Sequence, residues 1–111
     1  MALTAVGELT AAIKNYGIAL KIQPNYVDAW YQSGNTLVQL RKLKDTIKYY
    51  KRATEIDVRY FQAWFGCAQA WHNLGNYNNA LVSCNTSIEI NPYDEQGCYQ
   101  QGIILSGLGN L

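Results

Sequence analysis

The chain has 111 residues, room for one domain with a linear core. Its 9 basic and 8 acidic residues nearly cancel, which removes the global signature of a nucleic-acid or anionic-membrane binder. Hydrophobic residues make up 49%, but no run approaches the ~18 apolar residues of a membrane span and Met1 opens no signal peptide. The expectation is therefore a cytoplasmic protein, or an excerpt of one, that does not enter the membrane.

Apolar spacing is helical from end to end. The first expected helix covers 3–22 and stops at Ile22-Gln23-Pro24-Asn25, where proline blocks continuation. A second, 26–40, has Asp28 in its first turn, where negative charge suits the helix dipole. Trp30, Ser33, Gly34, Leu37 and Leu40 share one face of it, and it breaks at Arg41-Lys42. The third, 43–56, aligns Leu43, Thr46, Ile47, Tyr50, Ala53 and Ile56 in the same way. A fourth, 60–74, ends at Gly75-Asn76, two residues that tolerate left-handed backbone. The fifth, 77–90, runs into Ile90-Asn91-Pro92-Tyr93; the sixth, 94–108, begins with Asp94-Glu95 and is expected to end at Gly109-Asn110.

These elements recur with a period of 34 residues. Gly34, Ala68 and Gly102 form one small-residue column, Ala19, Ala53 and Ser87 another, and Ala12, Thr46 and Ala80 a third. Trp30 is echoed by Trp64, Pro24 by Pro92, and Gly7 by Gly75 and Gly109. A fixed period of this length signals stacked repeats, each burying its apolar face against its neighbours. Small residues at the crossings let paired helices approach closely, while Trp30, Trp64, Trp71 and Leu37 fill the space beside them.

The pattern Ala29-Trp30-x-x-Ser33-Gly34-x-x-Leu37, followed by Leu43-x-x-Thr46, Tyr50 and Ala53, resembles the tetratricopeptide repeat. Ala63-Trp64-x-x-Cys67-Ala68-x-x-Trp71, Leu74-Gly75-x-Tyr77-x-x-Ala80 and Pro92 resemble it more closely still. The likeness covers a partial repeat (1–26), two full repeats (27–60 and 61–94) and the first helix of another (95–111). It implies an all-α, right-handed α-solenoid of stacked antiparallel helix pairs that acts as a non-catalytic protein-interaction module. The departures are Thr46 for alanine, Val58 for the terminal proline and Gly97-Cys98 for Ala-Trp.

Little in the chain points to catalysis or to a cofactor. His72 is the sole histidine, so neither a two-histidine acid–base pair nor an ordinary zinc site can be built. Ser83, Ser87 and Ser106 have no histidine that the register would bring near. Glu55 and Glu89 occupy one column a period apart, as on a solvated helix face. Gly107-Leu108-Gly109 has no preceding strand, and the glycosylation-like Asn85-Thr86-Ser87 falls mid-helix. Cys67, Cys84 and Cys98 lack CxxC spacing and fall in register positions expected to be buried, as thiols in a reducing compartment.

In the tetratricopeptide family the first helix of each repeat lines a concave groove that holds peptides. Carried onto this chain, that face presents Tyr31, Phe65 and Tyr99 in one column, with Asn35, Gln69, Gln100 and His72 nearby. Amides offer donor and acceptor together, which suits a peptide backbone, and aromatics give contact area at small entropic cost. The same aromatics could instead complete packing between repeats. The family's chaperone-tail clamp would need Lys, Asn, Asn, Lys and Arg at Tyr31, Asn35, Gly66, Gln96 and Gln100; only Asn35 matches, so that mechanism is not expected.

Charge is unevenly distributed along the chain. Residues 41–59 hold seven of the nine basic residues against three acidic ones. Lys44, Lys48, Lys51 and Arg52 on the third helix are either an ordinary solvated face or a docking surface for an acidic partner. The expected partner is a protein or peptide segment, and nucleic acid is disfavoured by the neutral groove. The alternative is a self-assembling fragment that associates end to end as a homo-oligomer. Ile103, Ile104, Leu105, Leu108 and Leu111 at one end, and Leu3, Val6, Leu9 and Ile13 at the other, would be its contact residues.

Overall fold

The computed structural model describes residues 3–111, and side chains from Ala5 onward. Six helices follow one another: α1 (Leu3–Ile22), α2 (Val27–Gln39), α3 (Leu43–Ile56), α4 (Phe61–Asn73), α5 (Tyr77–Ile90) and α6 (Glu95–Gly109). Every boundary lies within one residue of expectation, and no strand occurs among the described residues. Each helix packs on its neighbours in sequence, and α2 with α4, and α4 with α6, touch more lightly. The result is an all-α solenoid, stacked along one direction.

The turns within the repeats use a specific chain reversal. Arg41 (φ 60°) and Gly75 (φ 81°) take left-handed backbone just past α2 and α4. The amides of Lys42 and Asn76 then donate to the carbonyls of Leu37 and Trp71, each at 2.9 Å. Those of Arg41 and Gly75 donate to Val38 and His72, also at 2.9 Å. This paired pattern satisfies carbonyls that the helix end would leave open. The sixth helix also ends at Gly109-Asn110, but without a left-handed residue: α6 runs through Gly109 and Asn110 caps it at φ −96°.

The turns between repeats are held by tryptophan. The indole Nε1 of Trp30 donates to the Pro24 carbonyl at 2.8 Å, and that of Trp64 to the Val58 carbonyl at 3.0 Å. Each ring reaches back six residues over the turn and stays half-buried. Cys98 occupies the same column but is exposed, contrary to expectation. The position is sheltered only when a large ring lies along the helix flank, and a short thiol cannot cover it. Cys67 and Cys84 are buried as expected.

The core forms two clusters. Tyr50, Ala53, Ala63 and Cys67 make one; Ala68, Ala80, Cys84 and Ile104 make the other. In the first, the Tyr50 ring is threaded between α2 and α4. A Cβ on Gly34 would stand 2.5 Å from its Cε1, and one on Gly66 would stand 2.6 Å from its Cε2. Both helices carry glycine at the contact, so the ring fits with only 3% of its surface exposed.

The apolar residues expected at the ends divide. Ile104 is fully buried against α5, and Leu108 packs on the same cluster, so neither is left uncovered. Leu105 and Leu111 are exposed, and Ile103 is half-buried. Val6, Leu9 and Ile13 of α1 are half-buried, while the side chain of Leu3 lies outside the described residues.

Candidate peptide-binding groove

The first helices of the repeats, α2, α4 and α6, stand side by side and leave a chain of depressions along their shared face. One is lined by Tyr31, Asn35, Phe65 and Gln69. The next is lined by Phe65, Gln69, Tyr99 and Gln100, and a third, toward the C-terminal ends, by Gln69, His72, Gln100 and Ile103. Gln69 lines all three, which makes them one groove. All seven residues expected there from the sequence line it.

Their states differ, however. Tyr31 is half-buried and packs on Tyr50 at 5.7 Å between ring centroids and edge-on to Tyr60 at 5.2 Å. Much of its ring is therefore spent on joining repeats. Phe65 is half-buried, and Tyr99 is 74% exposed. Only the last of the aromatic column is wholly open. His72 is half-buried beside Tyr77, with centroids 5.3 Å apart.

The amides also divide. Asn35 accepts a hydrogen bond from the Tyr50 hydroxyl on its Oδ1, which leaves its amide donors for the groove. Gln69 is exposed. Gln100 is 9% exposed, and no buried polar side-chain atom among the described residues lacks a partner. It forms part of the groove floor.

Sequence reasoning missed two parts of this site. Tyr50 comes from α3, a second-position helix, yet it reaches through to line the groove floor with Gly66. The pair of glycines at Gly34 and Gly66 was the available signal, but they lie in different repeat columns. Burial, then the nearby Tyr31 and Cys67, push the Tyr50 hydroxyl well above its usual range, so it stays a donor. The second is acidic: Asp94 and Glu95 line the groove near the start of α6. Beside Tyr31, the Tyr60 hydroxyl donates to Asp28 Oδ1 at 3.1 Å. Burial first, and then that hydrogen bond, push Tyr60 up to about 12.

The basic residues of α3 lie elsewhere. Lys44, Lys48, Lys51 and Arg52 are all exposed, and their three- and four-residue spacing puts them along one side of α3. Lys48 and Arg52 line a separate depression with Trp30, Tyr49, Asp45 and Glu55, to which Lys44 and Lys51 do not contribute. The Arg52 guanidinium stands 5.9 Å above the Trp30 ring and 3.1 Å from Glu55. With Lys42 also lining it, the depression holds three basic side chains against the two carboxylates.

No three His, Cys, Asp or Glu side chains converge as a metal site among the described residues. No helix among them is long and apolar enough to cross a membrane.

Comparisons with known proteins bear on the fold. Two solved MamA structures superpose with TM-scores of 0.87 and 0.88 at 22% and 21% identity, covering 93% and 98% of this chain and 56% and 66% of theirs. The first tetratricopeptide domain of Spaghetti (RPAP3), bound to the HSP90 peptide SRMEEVD, superposes with TM-score 0.88 at 16% identity, over 93% of this chain and 82% of that one. At these identities the likeness is one of fold. Among curated proteins, a peptide N-acetylglucosaminyltransferase of Giardia intestinalis is 25% identical over 83 residues. The human protein O-mannosyl-transferase TMTC3 is 24% identical over 104 residues. The matches take in 75% and 93% of this chain but only 6% and 11% of those proteins. Family models for the TPR repeat match residues 2–41, and those for the tetratricopeptide repeat match 27–57 and 61–94. Six paired helices with this period and these matches make the chain a member of the tetratricopeptide-repeat family, a fold of protein-interaction modules.

Proposed function

We propose that this chain is a non-catalytic module that holds an extended peptide segment of a partner protein along the α2–α4–α6 groove. The carrying observation is the continuity of that groove: an exposed amide at Gln69 and a floor residue at Gln100 beside aromatic rings at Phe65 and Tyr99. A bound backbone would exchange its water contacts for amide hydrogen bonds, while apolar side chains covered Phe65 and Tyr99. The transferase activities of the curated relatives belong to proteins many times longer than the matched stretch. Nothing in this groove suggests that chemistry.

The test is titration calorimetry against peptides selected on the wild-type chain. Phe65→Ala should weaken binding by about 1–3 kcal/mol, the cost of truncating a buried anchor. Unchanged affinity, with the fold intact by circular dichroism, would remove the groove from the account.

A further inference from the structure

We infer that the segment held in this groove carries a cationic side chain, lysine or arginine, seated where α4 meets the start of α6 against Phe65, Tyr99 and Glu95. This rests on the reading of the groove given above and adds the chemistry of its occupant. The depression there is built from pairs four residues apart. Phe65 and Gln69 come from α4; Glu95 with Tyr99, and Gln96 with Gln100, come from α6. Residues at that spacing stand one above the other on a helix, so Glu95 and Tyr99 present a carboxylate and a ring side by side. Aromatic faces attract cations, and a carboxylate beside them adds a directional partner.

The charge balance of the groove points the same way. No lysine or arginine lines any of its depressions, and none occurs in the chain after Arg59. The ion pair found among the described residues is Arg52–Glu55, on another face, so Glu95 has no internal counter-ion there. Asp94 lies nearby, its Oδ1 accepting from the Gln96 amide at 3.2 Å. No stacked ring among the described residues covers Tyr99. An acidic segment would meet two carboxylates with no base to receive it. A basic side chain would meet two rings and a carboxylate, and its aliphatic stem would lie along Phe65. Arginine fits best, since its planar guanidinium can stack on a ring and pair with a carboxylate together.

The experiment is a positional array of hexapeptides probed with the full chain, followed by titration of the best binder. Arginine or lysine should be enriched at one position. Replacing that arginine by citrulline, its uncharged isostere, should weaken binding about five- to tenfold. Glu95→Gln alters an exposed first-turn residue and should narrow that difference to about twofold. If peptides bind and Phe65→Ala weakens them, but arginine and citrulline bind alike, the cationic inference fails and the groove stands. If the difference survives Glu95→Gln intact, the seat against Glu95 is wrong and the inference fails at that point. Enrichment of acidic residues also overturns it. If no peptide is captured, or if Phe65→Ala changes nothing, the groove reading itself fails and this inference with it.

Discussion

Gly66 and Gly102 sit in the interiors of comparable helices, α4 and α6, and the same substitution should act on them in opposite directions. A methyl group on Gly66 would come within 2.6 Å of Cε2 and 2.8 Å of Cζ of Tyr50, a ring already hemmed in by Gly34. Neither ring nor helix has space to yield cheaply. Gly66→Ala should therefore lower stability by about 1–2 kcal/mol, even after the gain of about 1 kcal/mol that alanine brings to a helix interior. At Gly102 nothing lies within 4 Å of the added carbon. Gly102→Ala should raise stability by about 0.5–1 kcal/mol. Urea denaturation of both variants measures the contrast, and equal shifts would mean that Tyr50 is not wedged. The cysteines give a second residue-scale outcome. Burial pushes the Cys67 thiol up to about 12 and raises that of Cys84, while Cys98 is exposed. Thiol reagents need the thiolate and access to it. One equivalent should react in the folded protein, at Cys98, and two more only on unfolding. Peptide mapping of the labelled sites checks this.

At the scale of the element, the two repeat turns use one geometry with unequal residues. Gly75 adopts its positive φ without cost, whereas Arg41 holds φ 60° with a full side chain. Arg41→Gly should raise stability by about 1 kcal/mol, read as a higher melting temperature, since the hydrogen bonds of Arg41 and Lys42 are backbone bonds and survive. Helix limits were legible in the sequence because proline, glycine and 3.6-residue spacing act locally. The candidate groove face was legible through the family resemblance, which names the face, while the repeat register carries it to the matching column of each unit. Burial was less so. Cys98 is exposed because its column is closed by the size of tryptophan rather than by its place on the helix. The place of Tyr50 in the groove floor was missed for a related reason: its glycine neighbours belong to two different columns in two different repeats. Column-by-column comparison finds what the units share and passes over contacts that make one unit unlike the next.

As a whole the molecule is a short slab, 41 × 31 × 20 Å, with a radius of gyration of 14.5 Å. A compact globule of this length would have about 13 Å, so the stacking already shows as elongation. Because contacts join successive helices, stability in such an array resolves into units and the interfaces between them. Here those interfaces are not equivalent. Between α2 and α4 a large ring at Tyr50 is matched to glycines at Gly34 and Gly66. One period on, the same three columns hold Cys84, Ala68 and Gln100: a small centre with larger flanks. The volumes compensate within each junction but not across junctions. A chain with the two full units exchanged would keep Gly34 beside the Tyr50 ring but set Gln100 where Gly66 now stands, and a duplicated first unit would set Gln32 there. The order of the units is thus written into their shapes, and this array, though built by repetition, cannot be shuffled like one.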